Sequence, residues 1–162
     1  MKYHHVRSAA AIVALIAAAA CNPFHKNANK IQQADIPVGE RWNAVLATPS
    51  NLAGAVQIKG TGYVARGDSP GMSKAVIHTS NATQGGVHPW QVRTGNCGTD
   101  SPVFGDPAKY SNLKVDKDGT AQASADLDVP FPTSGQYALV VFASPSNMGT
   151  IIACGNLAPP VH

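Results

Sequence analysis

Ala121-Gln122-Ala123-Ser124-Ala125-Asp126-Leu127-Asp128-Val129 alternates small or apolar residues with polar ones at every step. A period of two belongs to a β-strand with one face buried and one wet, because successive side chains point to opposite faces. The stretch follows Asp116-Lys117-Asp118-Gly119, a glycine-containing turn signal. The aspartates of that turn do not have the spacing of an EF-hand calcium loop, so they read as turn residues.

Strand signals lie on either side of it. Residues 44–48, 56–65 and 74–79 are short runs bounded by Gly, Pro, Ser and Asn, and 87–93 follows the turn Gln84-Gly85-Gly86. Residues 136–144 and 150–155 complete the set. No amphipathic helix stands out beyond the first twenty residues, and no internal repeat is visible. About eight short strands separated by turns predict an all-β, antiparallel sandwich or barrel.

The N-terminus reads differently. Lys2 and Arg7 precede an unbroken apolar run, Ala9 to Ala20. That run is shorter than the roughly 20 residues needed to span a bilayer. A basic start, a short apolar stretch and small residues before a cut site are the pattern of an export signal. Ala18-Ala19-Ala20-Cys21 is similar to a bacterial lipobox, with Ala where Leu is usual at its first position. The resemblance implies a diacylglycerol on the Cys21 thiol. Asn22, in place of the Asp that favours inner-membrane retention, directs the expectation to the outer membrane, on its periplasmic side or at the cell surface. The expected organisation is residues 1–20 as signal, 21–40 as a polar lipidated tether, and 41–162 as one β domain.

Composition narrows the partners. The chain carries 12 Lys and Arg against 9 Asp and Glu. Loss of Lys2 and Arg7 with the signal leaves ten against nine, with no basic cluster. There is no electrostatic footprint for nucleic acid. The partners expected are the membrane, through Cys21, and an envelope protein of unspecified identity. Of three cysteines, Cys97 and Cys154 remain once Cys21 is lipidated. An even pair in an exported domain predicts a disulfide.

Three stretches together resemble copper/zinc superoxide dismutase. Gly86-Val87-His88-Pro89-Trp90-Gln91-Val92-Arg93-Thr94-Gly95-Asn96-Cys97 is similar to the family's His-Gly-Phe-His-Val-His strand and the disulfide cysteine after it. Leu139-Val140-Val141-Phe142 is similar to a strand ending in a copper-binding His. Ile151-Ile152-Ala153-Cys154-Gly155 is similar to the family's Arg-Leu-Ala-Cys-Gly, which holds the second disulfide cysteine. The turn Asp116 to Gly119 fits as well. The resemblance covers about residues 43–157 and implies a Greek-key β-barrel stapled by Cys97 and Cys154.

It also implies what is missing. Gln91, Arg93 and Phe142 stand where the resemblance puts three copper-binding imidazoles. An amide oxygen is a poor copper donor, a guanidinium has no lone pair to give, and a phenyl ring offers nothing. Ile151 stands where the family keeps the Arg that guides superoxide. Asp106 matches a zinc-binding Asp, but no His lies between His88 and His162 to complete that site. The family places a non-ligand His at the position of His88, which implies a structural role. His78, on a predicted strand without a second ligand nearby, reads as a hydrogen-bonded side chain. His4 and His5 leave with the signal, and His25 and His162 lie outside the strands. No Ser-His-Asp or Cys-His arrangement supports hydrolytic chemistry. The expectation is a non-enzymatic envelope lipoprotein, structural or partner-binding, without a cofactor. The alternative is a metal-binding protein or residual dismutase that would take copper or zinc.

Overall fold

The computed structural model describes residues 40–55 and 57–161. The expected export signal, the expected lipobox with Cys21, nearly all of the expected tether, and His4, His5, His25 and His162 lie outside the described residues. Among the described residues the chain is all-β. Its strands are β1 (Trp42–Ala47), β2 (Lys59–Arg66), β3 (Ser73–Ser80), β4 (Val87–His88), β5 (Trp90–Thr94), β6 (Leu113–Lys114), β7 (Ala121–Leu127), β8 (Tyr137–Ser144) and β9 (Asn147–Asn156). Seven of them form one antiparallel sheet in the order β5-β8-β9-β1-β2-β3-β7, curled into a half-barrel. β4 and β6 pair as a separate two-stranded ribbon.

The alternation over 121–127 appears as expected. Ala121, Ala125 and Leu127 are buried, while Gln122, Ser124 and Asp126 are exposed. The strand stops at Leu127, two residues early. Val129 instead uses its carbonyl to accept the Ser73 hydroxyl, at 2.9 Å, and Pro130 follows. The predicted strand over 87–93 is broken into β4 and β5 by Pro89, which has no N–H to give a ladder. The Pro89 carbonyl still accepts from Phe142 N at 2.9 Å, so both pieces stay beside β8. β2 begins at Lys59, later than the apolar pattern suggests. The segment before it makes a short 3-10 turn (Ser50–Leu52) and is tied to β1 by Ile58 N donating to the Thr48 hydroxyl, 2.9 Å.

The core lies in the concave side of the sheet. Leu46, Val64, Ile77, Val92, Leu113, Leu127, Leu139 and Val141 are its large, fully enclosed aliphatic residues. Its aromatic residues each place their polar atom on a backbone carbonyl, as buried indoles and phenols must. Trp42 Nε1 donates to Pro132 O at 2.8 Å, Trp90 Nε1 to Ser111 O at 2.7 Å, and Tyr110 Oη to Phe104 O at 2.6 Å. Burial pushes the Tyr110 phenol well above its ordinary pKa.

The outer edge of β5 is not left bare. Thr94 N donates to Pro102 O at 3.0 Å and Phe104 N to Val92 O at 2.8 Å, so residues 102–104 run along it. An edge covered in this way is protected from pairing with other chains. The same loop reaches the far end of the sheet, where Lys109 Nζ lies 2.9 Å from an Asp128 carboxylate oxygen.

Candidate functional site

β8 decides where the site residues meet. Its residues Ala138 to Phe142 are all buried. Leu139 and Val141 face the main core, while Ala138, Val140 and Phe142 belong to a second cluster with Cys154, against which Ile151 packs. A strand buried on both faces reads as a continuous apolar run, which is why 138–142 shows no alternation in sequence. The second cluster lies on the convex side of β8 and β9.

β5 pairs with β8 in the register Gln91↔Val140 and Arg93↔Ala138. Trp90 and Val92 turn into the core, so Gln91 and Arg93 turn to the same convex side as Val140 and Phe142. β8 and β9 pair with Phe142 opposite Ile151. The four positions singled out in the sequence, Gln91, Arg93, Phe142 and Ile151, thus gather on one patch although 60 residues separate the first from the last.

Their contacts are those of packing. The Arg93 guanidinium carbon stands 5.3 Å from the centre of the Phe142 ring, a cation–π contact. Arg93 Nε donates to Gln91 Oε1 at 3.3 Å, and Gln91 is buried. Arg93 also pairs with Asp100 at 3.3 Å, but that carboxylate is fully exposed, so water and salt screen the pair. Phe142 is 2% exposed. The patch is thus packed by an aromatic ring, an amide and a cation.

The loop after β5 is fastened over the same side. Cys97 is bonded to Cys154, with Cα atoms 5.8 Å apart, inside the ordinary span for a disulfide. Cys97 N donates to Asn156 Oδ1 at 2.7 Å, and Gly95 N donates to Gln136 O at 2.7 Å. Gly95 and Gly98 both adopt positive φ there, 86° and 84°, a conformation open to glycine without steric cost.

The remaining candidates are dispersed. His88 Nδ1 is 2.8 Å from the Ala143 carbonyl and ties the β4 ribbon to the end of β8. Its Nε2 is buried without a hydrogen-bond partner and lies against Gly86. His78 sits on β3 between Thr61 and Gln122, on the face away from Ile77 and the core. Asp106 spends its carboxylate as a cap, accepting from Ala108 N at 2.9 Å. Asp116 to Gly119 makes the expected turn, closed by Gly119 N to Asp116 O at 3.1 Å. Among the described residues no three His, Cys, Asp or Glu side chains come together as a metal site. Copper, which the sequence resemblance brings into question, does not fit the donor set at residues 91, 93 and 142.

Two partnerships escaped the sequence reading. Asp100 for Arg93 was signalled only by opposite charge seven residues away. Asn156 for the Cys97 amide carried no signal, because it depends on the disulfide bringing two distant strands together. No family profile matches this sequence, and no curated protein is significantly similar to it.

Proposed function

We propose that this chain is an envelope lipoprotein whose β domain is a non-catalytic relative of copper/zinc superoxide dismutase, serving as a rigid scaffold that presents its surfaces to a partner. The observation that carries the reading is the convergence of Gln91, Arg93, Phe142 and Ile151. The resemblance assigns those positions to three copper imidazoles and one guiding Arg. They come from three strands, meet on one patch, and include no imidazole. Two further features support it. β3 pairs with β7 and β5 with β8, a connection that a Greek key produces, and Cys97 bonds Cys154 as the resemblance implies.

Function lives in sites grafted on folds, and here the site of the resembled enzyme is occupied by packing. A Cu²⁺ ion placed about 4 Å from the Arg93 cation would pay about 4 kcal/mol per unit of its charge at an effective dielectric of about 20. The purified protein is therefore expected to leave the decay of superoxide no faster than free copper does at the same concentration. A rate well above that baseline would reverse the proposal.

The anchor is tested separately. Wild-type chain should enter the detergent-rich phase of a phase-separating extraction, and Cys21→Ser should move to the aqueous phase. Equal partitioning of the two would remove lipidation from the account.

A further inference from the structure

A largely apolar groove on the outer surface lies where the tether enters the domain. It holds about 460 Å³ and is lined by Arg41, Val45, Thr61, Tyr63 and Ala158, among others. Val45 is 79% exposed in the middle of a strand, one of the four exposed large apolar side chains among the described residues. Another of the four, Val161, also 79% exposed, lies three residues beyond Ala158. The C-terminal segment is held beside β1 by a reciprocal pair of backbone bonds, Asn43 N to Ala158 O at 3.0 Å and Ala158 N to Asn43 O at 2.7 Å. Both ends of the domain therefore border this groove. The residues lining it include one cation, Arg41, whose guanidinium lies 4.6 Å from the Tyr63 ring centre, and no carboxylate.

We infer that this face, the outer side of β1 and β2 with the C-terminal segment, rests on the membrane surface. The inference builds on the proposed lipid at Cys21. Nineteen residues separate that cysteine from Arg41, and their reach is at most roughly 65 Å at about 3.5 Å per residue. The tether joins the domain at Glu40 and Arg41, and Arg41 lines the groove, so this is the face beside the anchor's point of attachment. An exposed valine and a cation are a weak lipid contact when free in solution. A tether makes the contact intramolecular, and an effective concentration in the millimolar range lets a weak contact persist. A polar scaffold with a few apolar side chains, and no carboxylate among the residues that line the groove, suits the headgroup boundary, where apolar groups seat to about 5–10 Å.

The test uses full chain extracted from envelopes with its lipid and returned to phosphatidylethanolamine/phosphatidylglycerol vesicles. Val45→Cys and Thr61→Cys, each carrying an environment-sensitive fluorophore, report on the groove. Lys114→Cys on β6, exposed and in the separate two-stranded ribbon, is the control. Quenching by spin-labelled lipid is expected to be at least about threefold stronger at both groove positions than at the control, as for groups seated at the headgroup boundary. If the protein floats with the vesicles but all three labels are quenched alike, the domain does not lie on this face and the inference falls while the anchor stands. If the protein does not float with the vesicles, the anchor falls, and this inference with it.

Discussion

Reducing the Cys97–Cys154 bond is expected to lower the unfolding free energy of the domain by about 4 kcal/mol, within the roughly 2–5 kcal/mol seen for native bridges in small exported domains. The bond closes a loop between residues 57 apart in sequence, and chain entropy alone assigns about 4 kcal/mol to a loop of that length. The folded side adds a reason for the loss to be felt. Cys154 is buried in the convex cluster with Val140 and Phe142, and its partner fastens the loop after β5 beside Arg93. The bridge also brings Cys97 N to Asn156 Oδ1. Urea unfolding with and without reductant measures the difference. A midpoint that reduction barely moves would mean that the strand ladders fix the loop without the bond.

Gly155→Ala should cost nearly as much, about 3 kcal/mol, at the upper end of overpacking penalties. β9 crosses β1 so closely at this residue that a Cβ would land on the Val45 carbonyl, with the Val45 carbonyl carbon at 2.8 Å and Leu46 Cα at 3.3 Å. Those are backbone atoms of a paired strand, and they have no rotamer to escape into. The contrast is Gly149→Ala, on the same strand, where the nearest atom to the added methyl would be 3.9 Å away. That variant is expected to stay within about 0.5 kcal/mol of wild type, as surface changes usually do. Thermal or urea unfolding of the pair separates the two positions. Equal stability would show that β1 and β9 can part without cost.

The sequence makes some parts of this molecule plain and others invisible. β7 is legible because one face is wet, so polarity reports the strand period directly. β8 is legible only as apolar, because both its faces are covered. β6 escapes notice, since two residues carry no period, and what holds them is pairing with Val87 and His88. The split of one predicted strand into β4 and β5 was available in Pro89. At the patch, the identities of Gln91, Arg93 and Phe142 speak against a metal from sequence alone. What sequence could not give is their mutual packing, which depends on the register of β5 on β8 and of β8 on β9. The one-residue shift that puts Phe142 opposite Ile151 after Val141 opposite Ala153 is a bulge with no local signature.

The most direct test of the central claim is metal content. Untagged full-length protein, dialysed against excess copper and zinc and then against buffer, should retain less than one equivalent of either. The triple variant Gln91→His, Arg93→His, Phe142→His, treated in the same way, should hold more copper than wild type, because it supplies imidazole donors and removes the cation. Stoichiometric copper in the wild-type protein, accompanied by accelerated superoxide decay, would contradict the account.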